Sequence, residues 1–590
     1  MDRERIRKAK IVCTLGPASR ETETIRALAA AGMSVARLNA SHGTRGDRAE
    51  LVERVQAVDE STEHTVATML DLQGPEIRTG EVSGTPVLEQ GETVRLVHGE
   101  EATEEEIGLS VPLEGVAAGD IVLIDDGRIQ LTVTEVIEDH VLARIDSGGE
   151  LDDYRGVNVP GVDLDLDALT DADRGDIAFA AEFDVDFVAA SFVRNREDVL
   201  EIREAIEDQG AEIPVIAKIE RADAVDNLEG IVDAAYGVMV ARGDLGVECP
   251  MEEVPLMQKR IIRVAREAGV PVITATEMLD SMIHERRPTR AEASDVANAV
   301  LDGTDAVMLS GETAIGDHPI RVVEAMDRIV RQAEGGEEYA ELRDQRIPPA
   351  DSRTGAIARS ARYLARDVGA RAVVVVTESG YTGLETAKFR PEVPIVAVTA
   401  DDDVRRRLAV SAGVLPTVET FEDGTIDAIL ETAVESAMDI GAARSGDTVV
   451  ALSGMMTNLE GARTTNMLKV HVAAETLATG RSVVGGRVTG PVVRAPNGDL
   501  TDVPEGGILV LDDGFDSEFT GDPERLAGIV DAREGMTGYP AIVARELEIP
   551  MMTGASLADV VASGMDVTLD AERGVVYAGD VEQVPESWET

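Results

Sequence analysis

Short apolar runs that alternate eight times with helix-like segments constrain this chain more than any other feature. The predicted strands are Ile11–Leu15, Val35–Leu38, Val66–Leu70, Asp186–Ser191, Val215–Ile219, Val238–Ala241, Val272–Thr276 and Ala306–Leu309. Between most of them apolar residues recur at helical spacing, as in Thr22–Ala31, Arg196–Glu207 and Glu253–Glu267. Eight such repeats specify a closed parallel (β/α)8 barrel of the α/β class. About 115 residues separate the third strand from the fourth. That stretch carries strand signals instead, at Val87–Val97, Ile121–Ile124, Ile129–Ile137 and Val141–Ile145, with Gly and Asp at the turns. It predicts a small all-β lid domain inserted at the barrel mouth. The predicted limits are 1–73 and 164–338 for the barrel and 74–163 for the lid.

After about Gly335 the alternation restarts. A helix at Thr354–Val368 leads to strands at Ala372–Thr377, Ile395–Thr399, Val414–Thr420 and Thr448–Leu452, ending in Met467–Ala473. This predicts a second, open α/β domain over 339–478. A fourth β/α unit follows over 482–590, with strands at Val483–Val488 and Gly507–Leu511, a helix at Pro540–Leu547 and a terminal β segment at Val567–Tyr577.

Charge narrows the function. The formal net charge is −57, which repels nucleic acid and anionic membrane. No apolar run approaches the ~20 residues of a membrane span, and the N-terminus has no apolar signal core, so a cytoplasmic protein is expected. The only cysteines, Cys13 and Cys249, form no disulfide framework. The lysines are six, Lys8, Lys10, Lys218, Lys259, Lys388 and Lys469, against many arginines. Dense carboxylates with scarce lysine along the whole chain point to adaptation to concentrated salt, with a merely acidic mesophilic protein as the plain alternative. A lysine inside an apolar strand, such as Lys218, then draws attention.

Barrel active sites lie at the C-terminal ends of the strands. On the fifth, Lys218 and Glu220 are two apart and share a face. Alone they fit a structural ion pair. Asp244, one strand over, supplies a second carboxylate, and such a pair can hold Mg²⁺ or Mn²⁺ with positions left for substrate. Lys218 beside that metal would stabilise a developing oxyanion. Gly243 lets backbone N–H groups approach an anion. Thr276 can bind or relay a proton. Arg37 and Arg78 suit phosphoryl oxygens, although either alone also fits a surface salt bridge. Gathered at one mouth, these groups describe phosphoryl transfer by positioning and charge neutralisation.

The runs Arg37–Gly43, Asp71–Gly80, Ile216–Glu220, Ala241–Glu248, Ala275–Met282 and, above all, Arg287–Thr313 make the chain resemble the pyruvate kinase family over about residues 6–475. The resemblance implies a glycolytic enzyme that moves phosphoryl from phosphoenolpyruvate to ADP, giving pyruvate and ATP. It implies Lys218, Arg37 and Thr276 as catalytic residues. Substrate would bind at Gly243, Asp244, Thr276 and Ser191. Nucleotide would bind near Asn39, His42, Arg78 and Arg155, the last reaching down from the lid. Glu220 and Asp244 would hold the divalent ion. Asn39, Ser41, Asp71 and the carbonyl of Leu72 would form a K⁺ site. A homotetramer with an α/β regulatory domain is also implied. In that domain Thr377, Ser379 and Thr382 resemble the family's effector-phosphate loop, with an unoccupied turn as the plain alternative.

Departures from the family pattern matter. Glu277 stands where many relatives have Gln, and Tyr381 where many have Arg. Relatives that dispense with K⁺ tend to have Lys at the position of Glu76. Glu76 and Thr79 match the K⁺-dependent type, whereas Leu72 and Gln73 match the independent one. The run Gly535–Leu547 resembles the swivelling phosphohistidine domain of phosphoenolpyruvate-utilising enzymes, but Tyr539 stands where those have His. That predicts a structural or regulatory role for 482–590. Two other readings stay open: a metal-dependent lyase or aldolase acting through pyruvate enolate, and a non-catalytic protein that kept the fold.

Overall fold

A computed structural model describes residues 6–82, 84, 86–138, 140–162, 164, 166–421, 426–454, 465–557 and 561–581. Eight parallel strands close a barrel: β1 (Lys10–Thr14), β2 (Met33–Asn39), β3 (Ala67–Asp71), β4 (Phe187–Ala190), β5 (Val215–Ile219), β6 (Gly237–Ala241), β7 (Val272–Ala275) and β8 (Ala306–Leu309). β1 pairs with β2 and with β8, which completes the circle. Strand alternation sorts the side chains. Val12, Val35, Met69, Phe187, Ile216, Met239, Ile273 and Met308 fill the interior, while Cys13, Leu38, Leu70, Val188 and Ala217 face the helices. The barrel is therefore a packed plug and not a pore. The next inward positions toward the C-terminal ends are Thr14, Arg37, Asn39, Asp71, Ser191, Lys218 and Glu220. The polar site is thus the layer laid directly on the plug.

Three of the helices around the barrel start on side-chain caps. Thr44 with Asp47, Thr170 with Asp173 and Thr289 with Glu292 each form a reciprocal capping box. Glu292 also accepts from Ser281 N and Oγ, so the motif around Thr289 is largely architectural. Glu312 serves likewise: it is buried and accepts from Leu279 N at 3.0 Å and Ser310 N at 2.6 Å.

The insertion is all-β. Nine short strands form one mixed sheet around an apolar core that includes Leu96, Ile124, Leu131 and Ile145. The chain leaves the barrel at Gly74, which has φ +74° and whose added Cβ would lie 2.9 Å from Ser191 Cβ. Only glycine fits there without strain. Gly74 N is anchored by Asp173 Oδ1 at 3.0 Å.

The rest is described as a second unit covering residues 360–376, 391–398 and 419–590. In it Ala372–Val376 pairs in parallel with Ile395–Thr399 on one side and Thr448–Gly454 on the other. Thr465–Val472, expected as a further βα repeat, returns antiparallel to Thr448–Gly454. The segment between them is too short for the crossover helix a parallel partner requires. Towards the C-terminus eight strands form a sheet that includes Arg487–Arg494, Gly507–Leu511 and Leu526–Asp531 in parallel, with helix Tyr539–Leu547. Among the described residues no helix is long and apolar enough to cross a membrane.

Candidate active site

Lys218 is the hub of the barrel mouth. Its Nζ lies 2.7 Å from Glu220 Oε1 and 3.3 Å from Asp71 Oδ1, and donates to Ser191 Oγ at 2.7 Å. Ser191 Oγ donates in turn to the Leu72 carbonyl at 2.7 Å. Burial opposes the Lys218 charge, but Asp71, Glu220 and Asp244 outweigh it and raise the ammonium pKa. Arg37 Nε and Nη2 both reach Asp71 Oδ2 at 2.6 Å, and Nη1 donates to Thr14 Oγ1 at 2.9 Å. Burial alone would raise the pKa of Asp71, yet Lys218 and Arg37 hold it below the usual carboxylate range. One buried carboxylate therefore fixes both cations.

Glu220 Oε2 accepts from Phe192 N at 2.7 Å. Phe192 has φ +58°, a costly conformation for this side chain, and the turn after β4 adopts it with its N–H on Glu220. Burial raises the pKa of Glu220, opposed by Lys218 and reinforced by Asp244. Asp244 lies in the first turn of Arg242–Glu248 after β6, and burial raises its pKa too, with Asp126 of the lid adding to the effect. Two carboxyls that disfavour joint ionisation are a donor set that a divalent cation would relieve. Among the described residues no group of three or more His, Cys, Asp or Glu could hold a metal. Glu220 and Asp244 would give such an ion two carboxylate ligands and leave positions for substrate.

At β7 the chain turns through two left-handed residues, Thr276 (φ +67°) and Glu277 (φ +53°). Thr276 Oγ1 accepts from Gly243 N at 2.8 Å and donates to the Ala275 carbonyl at 2.7 Å. Arg242 clamps this turn, donating to the carbonyls of Ala275 at 3.1 Å and Thr276 at 2.7 Å while pairing with Asp295 at 2.6 Å. Sequence reasoning gave Arg242 no role, and its place before Gly243-Asp244 was the only signal. The nearest atoms to a Cβ on Gly243 would be those of Thr276, at an ordinary 3.7 Å, so protein packing does not demand glycine there.

The proposed K⁺ ligands stand together at the ends of β2 and β3. Asn39 and Asp71 are register partners, and Asn39 Oδ1 accepts from Ser41 N at 3.1 Å. Together with the Leu72 carbonyl they are all oxygen donors, the chemistry a hard monovalent cation needs. The nucleotide candidates are less gathered. His42 is exposed on the loop after β2. Arg78 pairs with Glu76 at 2.6 Å and donates to the Tyr154 carbonyl at 3.1 Å. Arg155 does not reach the barrel mouth through any hydrogen bond or ion pair described. Its guanidinium pairs with Asp125 at 3.2 Å and with Asp152, both in the lid. Of the effector-loop candidates, Thr377 and Thr382 are buried and Ser379 is exposed beside the left-handed Gly380, at the start of helix Tyr381–Lys388.

A filled (β/α)8 barrel with two buried cations fixed on its C-terminal rim, beside a carboxylate pair, suits a phosphotransferase. Known proteins agree. Family models match in succession: pyruvate kinase, barrel domain, over residues 6–323; pyruvate kinase, alpha/beta domain, over 355–471; and PEP-utilising enzyme, mobile domain, over 503–574. A pyruvate kinase of Bacillus licheniformis is 40% identical over 585 residues, and one of Geobacillus stearothermophilus is 42% identical over 584. Each alignment covers 97% of this chain and 99% of the relative. The chain belongs to the pyruvate kinase family.

Proposed function

We propose that this chain transfers the phosphoryl group of phosphoenolpyruvate to ADP, as a glycolytic enzyme of the cytoplasm. The observation that carries the reading is Lys218 fixed between Asp71 and Glu220 on the inner rim, with Arg37 on the same Asp71. The phosphorus–oxygen bond to the enol breaks, and a β-phosphate oxygen of ADP forms the new one. Arg37 and Lys218 neutralise the equatorial oxygens in transit, and Lys218 also faces the enolate left behind. The enolate then takes a proton at its methylene carbon. Thr276 stands at that step, and its hydroxyl must first rotate off the Ala275 carbonyl. Glu220 and Asp244 would hold Mg²⁺ or Mn²⁺, which supplies Lewis-acid charge to the substrate oxygens. Asn39, Ser41, Asp71 and Leu72 would hold K⁺. Gly243, Asp244 and Ser191 would line the substrate, and His42, Arg78 and Arg155 the nucleotide. Arg155 must leave Asp125 and Asp152 for this, an exchange of partners within the lid. Closure keeps water from the phosphoryl.

A coupled assay tests this directly: pyruvate should form from phosphoenolpyruvate only when ADP is present. Pyruvate released without ADP would favour a lyase. No pyruvate under any condition would favour a non-catalytic protein. Adding phosphorylated metabolites and nucleotides to the same assay tests Thr377, Ser379 and Thr382 as an effector loop. Sedimentation in the same buffer tests the expected homotetramer.

The charge of −57 leads to a second expected result. The Debye length is about 3 Å at 1 M salt and about 30 Å at 0.01 M, so in dilute buffer repulsion acts across whole domains. Activity and circular dichroism should both fall as KCl is diluted from molar to millimolar. Full activity in dilute buffer would show that the acidity is no adaptation to salt.

The C-terminal unit is proposed to be structural or regulatory. Tyr539 opens the helix Tyr539–Leu547 and packs against Phe519 with ring centroids 5.4 Å apart, where the swivelling domains of phosphoenolpyruvate-utilising enzymes carry His. A phenol in an aromatic cluster cannot shuttle phosphoryl as an imidazole does. After incubation with labelled phosphoenolpyruvate, no acid-labile phosphate should map to 482–590. Truncation near Arg481 should leave turnover and change stability or regulation.

A further inference from the structure

A small cavity lies beside the C-terminal end of helix Val254–Ala268, where β7 and β8 begin and not where they end. Its wall includes Arg266, Pro271, Asp305, Lys388, Arg390 and Ser411. The centre of a water-sized sphere has about 10 Å³ there, room for roughly one water or one monatomic ion. Arg266 and Ser411 each bring a buried polar atom to this wall. Arg266 is only 9% exposed, and its Nε has no hydrogen-bond partner among the described residues. Ser411 is 1% exposed, and its Oγ likewise has none.

The other charges of the wall are committed. Asp305 pairs with Arg390 at 2.9 Å and accepts from Val272 N at 3.2 Å and Ala412 N at 2.9 Å. Lys388 pairs with Asp351 at 3.0 Å. Arg266 keeps only a 3.5 Å contact from Nη2 to the Arg346 carbonyl. Burial and the neighbouring Arg390 push its pKa down to about 10, so it still carries its charge at neutral pH. The nearby acid Glu385 is pushed toward its neutral form, chiefly by burial. Asp305 also acts on Arg266, but its carboxylate is paired with Arg390, so two buried cations share one anion; a neutral water would satisfy the Arg266 N–H but not the remaining charge. The group that completes the site must accept hydrogen bonds, carry negative charge and be one atom in size. A carboxylate or phosphate is too large.

We infer that this cavity is a halide site, in which one chloride ion accepts from Arg266 Nε and Ser411 Oγ. Bromide is the probe. Crystals of the full chain grown in KBr, with data collected at the bromine edge, should show an anomalous peak within hydrogen-bond distance of both atoms. Arg266→Met should remove the peak. Ser411→Val, which fills the space and leaves Arg266 in place, should remove it as well and serves if the first variant does not fold. In solution, exchanging chloride for gluconate at fixed K⁺ should lower the thermal midpoint of the wild type but not of Ser411→Val. No anomalous peak at molar bromide would overturn the inference. So would an undiminished peak in either folded variant, or an equal midpoint shift in the wild type and Ser411→Val.

Discussion

Lys218→Met is expected to abolish phosphoryl transfer while the barrel stays folded. Methionine keeps the apolar stem above Ile216 and removes only the ammonium. Asp71 keeps Arg37, and Glu220 keeps the Phe192 N–H, so neither buried carboxylate is stranded outright. Loss of one preorganised electrostatic group in such a site typically costs about 10²–10³ in rate. The loss should fall on kcat, because the ammonium matters most where charge develops on the phosphoryl and the enolate. Turnover and circular dichroism of the same sample decide the matter. Near-normal turnover in a folded variant would falsify the assigned role.

The barrel was legible because its signal is local. Each strand is a short apolar run, and alternation alone places Lys218 and Glu220 on the inner face with Ile216. The scarcity of lysine proved a weaker guide. Lys10 is buried too, yet it sits at the opposite end of β1 and donates to the Val414 carbonyl. Lys388 is buried and pairs with Asp351. What marks Lys218 is the strand end it occupies. Tertiary relations were not legible. No pattern announces that Phe192 offers its N–H from a left-handed turn, or that Arg242 clamps the carbonyls before and after the bend at Thr276. Arg78 and Arg155 read as phosphate ligands by type, but their present partners are carboxylates and a carbonyl brought up by the lid sheet. Arginine identity reports what a residue can bind, and only the fold reports what it is bound to.

Catalysis is expected to need K⁺ itself and not ionic strength alone. At the barrel mouth Arg37 and Lys218 face three carboxylates, Asp71, Glu220 and Asp244, while Arg242 is offset by Asp295. Phosphoenolpyruvate and ADP add several negative charges, which one divalent ion cannot balance. Glu76 contributes nothing toward that balance, because its carboxylate is matched by Arg78 at 2.6 Å. Its surroundings are tight: a Cβ on Gly156 would lie 2.6 Å from Glu76 Oε1, so Glu76 and the returning lid strand occupy one hinge. Replacing KCl by tetramethylammonium chloride at constant ionic strength should lower turnover by about 10²-fold, the usual cost of one lost stabilising charge. Glu76→Lys reverses the local charge and frees Arg78, so it should recover part of that loss without K⁺. Equal rates for the wild type with and without K⁺ would make Leu72 and Gln73 the better guide to the cation requirement. A lysine variant that stays as K⁺-dependent as the wild type would reduce Glu76 to an anchor of the lid hinge. If K⁺ dependence weakens in that variant alone, an ammonium at position 76 is replacing the ion, and the sum of charges at the mouth is what fixes the requirement.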